Sequence, residues 1–180
     1  MKIRAGAFNT YLLLVAMLVI VGCQTNQAAK GKASARKEKK ELSTLGLHLE
    51  MFADGSDRTQ TIRVHRDTPV TLTVETKPCL DEGEIERASV VDSMDTYVLR
   101  IEFSRRGAWL LENLTASNIG KRLAVASQFG EARWLAAPVI NRRIADGVFF
   151  FAPDASREEA ERIARGLNNM VVKNKKKWTF

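Results

Sequence analysis

The chain has 180 residues, 45% hydrophobic and 27% charged, with 28 basic and 21 acidic residues giving a net charge of +7. This composition is ordinary for a folded soluble protein, and the length suits one domain with a hydrophobic core rather than two. The excess charge gathers at the ends: Lys30, Lys32, Arg36, Lys37, Lys39 and Lys40 outnumber Glu38 and Glu41, and Lys173, Lys175, Lys176 and Lys177 crowd the C-terminus.

Residues 1–22 read as a lipoprotein signal peptide. Lys2 and Arg4 supply a positive start, Tyr11 to Val21 an apolar run, and small Gly22 precedes Cys23. The run is shorter than the roughly 20 apolar residues that span a bilayer. The pattern therefore predicts lipidation at Cys23, with several acyl chains anchoring durably where one is marginal. Gln24, where an aspartate would argue for inner-membrane retention, favours the outer membrane and its periplasmic face.

Residues 23–43 read as a basic, flexible tether. Such a coil has an end-to-end distance of about 25 Å and reaches at most roughly 70 Å. Its lysines, and those of a basic tail at 173–180, suit anionic lipid or cell wall. Nucleic acid is excluded as a partner by the compartment.

The folded region is expected at 44–172. Leu45, Leu47, Leu49 and Met51 alternate with polar or small residues, turn residues follow at Asp54-Gly55-Ser56-Asp57, and alternation resumes at Ile62 and Val64 and again at Val70, Leu72 and Val74. Three half-buried strands are predicted, with His48 and His65 on their polar side. Two imidazoles without a placed carboxylate or thiolate do not make a zinc site, and no metal or cofactor is expected. Cys79 is left without an intrachain disulfide partner once Cys23 is lipidated, and reads as a buried structural thiol. Asp81, Glu82, Glu84 and Glu86 read as acidic groups in the first turn of a short helix.

Beyond Ser89, strands alternate with helices: a short strand at Val90-Val91, one through Tyr97, Leu99, Ile101 and Phe103, and a helix over 107–118 stopped by Gly120. Strands follow at 121–127, 133–140 and 148–151, with Pro138 restricted to an edge, bulge or strand end. Phe149 to Phe151 read as a fully apolar strand, more as core than as groove wall. The last helix opens on a capping box of Ser156 and Glu159, with Ala160, Ile163, Ala164, Leu167 and Val171 along one face. The fold class is α+β: a mixed, largely antiparallel sheet with two main helices on one side, in a single domain.

The ordered run Gly107-Ala108-Trp109, Leu114-Thr115, Asn118 to Val125 with Gly120, Lys121 and Arg122, then Ala137-Pro138-Val139-Ile140, Asp146-Gly147, Glu158-Glu159-Ala160 and Ile163-Ala164 resembles SecD. The resemblance is to the head subdomain of that translocase subunit's large periplasmic domain, and is clearest over 85–168. It implies an α+β head that contacts unfolded or secreted polypeptide. SecD proteins also couple export to proton flow through membrane helices with intramembrane carboxylates, and this sequence contains neither. The resemblance thus implies a non-catalytic, non-transporting, protein- or peptide-binding module whose family positions are Gly120, Lys121, Arg122, Ala137, Pro138, Val139, Ile140 and Gly147. Phe149-Phe150-Phe151-Ala152-Pro153 departs from the family's usual glycine-containing stretch. The alternative reading is a structural envelope spacer held by its basic ends. Gly120-Lys121-Arg122 lacks the upstream glycine and downstream Ser or Thr of a phosphate loop.

Overall fold

The computed structural model describes residues 41–177. The signal peptide at 1–22, Cys23, the tether through residue 40 and the tail at 178–180 lie outside the described residues. The described residues form nine strands and two α-helices: β1 (Thr44–Leu49), β2 (Thr59–Val64), β3 (Val70–Glu75), β4 (Leu80–Asp81), β5 (Ile85–Ser93), β6 (Thr96–Phe103), α1 (Arg105–Ser117), β7 (Leu123–Gln128), β8 (Ala132–Ala136), β9 (Val148–Phe151) and α2 (Arg157–Lys177).

The class is α+β, with the strands in three antiparallel sheets rather than one mixed sheet: β4-β1-β7-β8, β5-β6-β9 and the ribbon β2-β3. Alternation dictates the main core. Leu45, Leu47 and Leu49 of β1 meet Leu123 and Val125 of β7, Leu99 and Ile101 of β6, Phe149 and Phe151 of β9, and the stripe Ala160, Ile163, Ala164, Leu167 of α2. A second cluster lies where the ribbon's Ile62, Val64, Leu72 and Val74 cover Ala124 and Ala137, with Trp134 at its margin.

Several sequence expectations change in three dimensions. His48 is not on a solvent face: it is 7% exposed, because the ribbon covers that side of β1, and its Nδ1 donates to the Glu75 carbonyl at 2.8 Å. A carbonyl can only accept, so Nδ1 carries the proton. His65 follows the last residue of β2, with φ 68, and is exposed. The acidic stretch forms one 3₁₀ turn, Glu82–Glu84, capped by Asp81, and the expected two-residue strand at Val90-Val91 is the middle of nine-residue β5. Cys79 is half-buried and packs at the margin of the core. Burial pushes its thiol above the ordinary value, with the neighbouring Glu75 carboxylate adding to the effect.

α2 runs five residues past the expected boundary at 172, and the last residues of the expected tether pack on it. Glu41 pairs with Arg162 at 3.6 Å and Arg165 at 3.7 Å, and Ser43 is buried. Gly166 permits this approach, since a Cβ there would lie 2.2 Å from Ser43 Oγ and 2.8 Å from Ser43 N. The start of α2 is held by the expected capping box: Ser156 N–H donates to Glu159 Oε2 at 2.8 Å and Glu159 N–H to Ser156 Oγ at 3.2 Å. Asp154 beside it accepts from Arg66 N–H at 2.8 Å, tying the ribbon to this corner.

Gly166→Ala should destabilise the domain by about 1–3 kcal/mol, since the clash is with Ser43 backbone as well as side chain; a thermal melt unchanged from wild type would show that the approach is not constrained. The Ser156 N–H bond, with Arg133 and Arg66 nearby, holds the Glu159 carboxyl below its ordinary value of 4.5. A depressed value means the carboxylate stabilises the fold above about pH 4.5 and loses that contribution as pH falls through the lowered value. The melting difference between wild type and Glu159→Gln should therefore be largest near neutrality and close as the pH falls below 4.5.

Candidate functional site

The family positions of the sequence come together as backbone. Gly120, with φ +89, ends the α1 connection and donates its N–H to the Ile140 carbonyl at 2.9 Å. Ile140 N–H reaches the Lys121 carbonyl at 2.9 Å, Leu123 N–H the Pro138 carbonyl at 2.9 Å, and Arg122 bridges Val139. These bonds extend the β7–β8 pairing past a register shift at Val125 and Ala126. Pro138 stands beyond the end of β8, where its missing donor is not needed. Glu50 clamps the segment from the β1 side, accepting Arg122 N–H at 2.7 Å and donating its own N–H to the Arg122 carbonyl at 2.9 Å. Arg122 Nη1 donates to the Ala137 carbonyl at 3.0 Å.

Of these positions, Pro138, Val139 and Ile140 line a groove of about 170 Å³, with Thr115 and Leu123 beneath and Val148, Phe149 and Phe150 along its other side. Ala137 is in the ribbon's core cluster. Gly120, Lys121 and Arg122 contribute backbone to the groove's support and do not line it. Gly147 is apart from them: it has φ +69, and a Cβ there would lie 2.6 Å from Ala108 Cβ, so glycine is required where the chain crosses α1 on its way into β9. Thr115 fixes the same crossing. Its buried hydroxyl donates to the Leu111 carbonyl at 2.8 Å and accepts Ile144 N–H at 2.9 Å, while Arg143 pairs with Glu112.

β9 divides its aromatic residues between two environments. Phe149 and Phe151 point into the core, stacked at 5.7 Å, whereas Phe150 is 48% exposed under the Arg100 guanidinium. The fully apolar strand expected from the sequence is thus half wall and half core. Its two-residue period carried that signal, which the uniform Phe run concealed.

The outer edge of β9 has no strand partner among the described residues. Phe103 N–H bonds the Gly147 carbonyl at 3.0 Å, so by the alternation of antiparallel ladders Phe149 and Phe151 direct their backbone groups at β6, and Val148 and Phe150 direct theirs outward. Val148 N–H is taken by Asp146 Oδ1 at 3.1 Å. This leaves the Phe150 N–H and carbonyl on a free edge beside an apolar groove with Arg142 at its rim, a geometry suited to pairing with an extended chain. Among the described residues no group of three or more His, Cys, Asp and Glu side chains is placed to hold a metal, and no helix is long and apolar enough to cross a membrane.

The sequence matches the SecDF P1 head subdomain family over residues 58–169. This is more than half of the chain, and the chain belongs to that family. The matched range begins well before residue 85 and takes in the β2-β3 ribbon, which residue patterns alone did not assign to the family. No curated protein matches the chain. Among solved structures it is similar to SecDF, described as a membrane component that enhances protein export, at 22% identity and TM-score 0.54 over 82% of this chain and 70% of that one. It is also similar to SecDF in a form called super-membrane-facing, at 23% identity and TM-score 0.54 over 81% of this chain and 21% of that one. At these identities the likeness is one of fold, and the chain spans about a fifth of the longer SecDF structure.

Phe149→Ala should cost about 3–5 kcal/mol through the cavity it leaves, whereas Phe150→Ser should stay within about 0.5 kcal/mol as a surface change. Chemical denaturation of the two variants distinguishes core from wall, and equal losses would place Phe150 in the core.

Proposed function

We propose that the protein is a lipid-anchored, periplasmic module that binds unfolded or secreted polypeptide through its SecDF-head domain, without catalytic or transport activity of its own. The observation that carries this reading is the free β9 edge with Phe150 beside the groove of Pro138, Val139 and Ile140. An extended segment adds there as a fourth strand of the β5-β6-β9 sheet, its main chain bonding Phe150 N–H and C=O and an apolar side chain entering the groove. Family membership supports the module, and the Lys2, Arg4, apolar run, Gly22 and Cys23 pattern supports the anchor, with Gln24 favouring the outer membrane.

The exposed Lys173 and Lys175 near the end of α2 favour a second reading, in which the basic ends hold cell wall or anionic lipid and the domain acts as a spacer.

A photo-crosslinking residue at Phe150 in living cells should capture secreted polypeptide in transit, and the same residue at Phe52, exposed on the β1–β2 loop, should not. Equal capture at both sites, or none at either, would refute the β9 reading. Peptidoglycan sedimentation that needs the lysine-rich ends and ignores the groove would favour the spacer. Cys23→Ala should stall processing or release the domain from membranes, and a fully processed variant that stays membrane-bound would refute the anchor.

A further inference from the structure

We propose that the outer flank of α2 is a docking surface for an anionic phospholipid membrane, laying the domain against the bilayer that holds its anchor. The inference rests on the lipid anchor proposed above and adds a second contact, made by the folded domain itself. α2 segregates its charge along its length. Its acids, Glu158, Glu159 and Glu161, lie in the first turn and a half, whereas from Arg162 to Lys177 it carries six basic residues and no acidic one. A flank that only meets water commonly alternates the two signs. The macrodipole accounts for lysines in the last turn, but Arg162 and Arg165 stand in the second and third turns.

Arg162, Arg165, Asn169, Val172 and Lys173 follow one another at the spacing that keeps residues on one side of a helix. Residues 41–43 cross this flank. Glu41 reaches Arg162 at 3.6 Å and Arg165 at 3.7 Å, its carbonyl accepts from Asn169 Nδ2 at 3.0 Å, and Ser43 is buried on Gly166. One carboxylate thus answers two guanidiniums, and both arginine side chains stay exposed. Further along, Val172 is 56% exposed beside the exposed Lys173, and Leu42, between the two seated residues, is 41% exposed. Apolar side chains set among cations suit an interfacial contact, in which the cations meet phosphates and the apolar groups enter the headgroup layer. None of Leu42, Arg162, Arg165, Val172 and Lys173 lines the β9 groove or the cavities of about 330 and 490 Å³ elsewhere on the domain. The flank therefore offers a surface without a side-chain pocket, which favours a membrane over a polypeptide as its occupant.

The place where the anchoring segment joins the domain makes a weak contact sufficient. That place is Glu41, on this same flank, so an acylated Cys23 confines the flank within a tether's length of the headgroups. A short flexible linker gives an effective concentration on the order of 1 mM. A contact with a dissociation constant of about 1 mM, negligible for a free protein, is then half occupied in the anchored one. Tether and flank together fix an orientation that neither fixes alone, and the β9 groove takes no part in the contact.

The test reconstitutes the full-length protein, purified from cells, in vesicles of phosphatidylethanolamine and phosphatidylglycerol or of phosphatidylcholine alone, each doped with a headgroup-nitroxide lipid. A genetically encoded fluorescent residue stands at Val172 or, as reference, at Phe52, which is 92% exposed on the β1–β2 loop. On the anionic vesicles Val172 should be quenched and Phe52 should not. Raising the salt from about 0.1 to about 1 M shortens the screening length from about 10 to about 3 Å and should remove the quenching. A Lys173→Gln, Lys176→Gln double variant keeps helix propensity and should melt as wild type, yet lose about tenfold in quenching. Equal quenching at both positions, quenching undiminished on phosphatidylcholine or in the double variant, or displacement of Val172 from lipid by soluble peptidoglycan fragments would overturn the docking surface. Flotation with the vesicles in high salt reads the anchor separately. A chain that floats without quenching at Val172 overturns the docking and leaves the anchor, whereas one quenched in low salt that fails to float in high salt supports the docking and overturns the anchor.

Discussion

Strand β1 is used on both faces and both edges, and the rest of the domain is arranged around it. Its edges pair with β7 along the whole length and with β4 at Gly46 and Leu47. Its inward leucines meet α2, and its outward side carries Gly46 and His48, with the ribbon's Glu75 carbonyl taking the histidine Nδ1–H. Any slip by one residue would exchange leucines for glycine and histidine in the core. The pairing of Glu50 with Arg122 and the seating of Ser43 on Gly166 oppose such a slip from opposite ends of the strand.

The groove depends on this frame only indirectly. Its walls are the backbone ladder of residues 120–123 with 138–140 on one side and β9 on the other, brought together because Gly147 and Thr115 let the connecting segment cross α1 closely. The Gly120-Lys121-Arg122 run therefore acts through its backbone. Its carbonyls and amides hold Pro138, Val139 and Ile140 in place, and the groove they support is lined mainly by uncharged side chains.

Much of this was legible in the sequence, and what escaped did so for definable reasons. Period-two alternation at 45–49 and 97–103, the capping box at Ser156 and the stop at Gly120 are local signals, and each appears where local chemistry puts it. His48 was misplaced because alternation distinguishes two faces without revealing that a distant ribbon covers the second. The 3₁₀ turn at Glu82–Glu84 replaced a longer helix because Ile85 and Ala88 are drawn into β5 by pairing with β6. Phe150 was hidden inside a uniform aromatic run.

The partners of β1 also set a timetable. The strand is the first of the described fold to emerge from any process that delivers the chain from its N-terminus, yet its ladder needs β7, its lead-in needs Gly166, and its inward leucines need the stripe of α2. Little of the main core closes until nearly the whole domain has arrived, and such distant pairing makes folding slow relative to local helix formation. Until its last helix is delivered the chain can hold its local pairings, β2-β3, β5-β6 and β7-β8, but leaves the inward leucines of β1 uncovered, an exposed apolar face that favours association over folding.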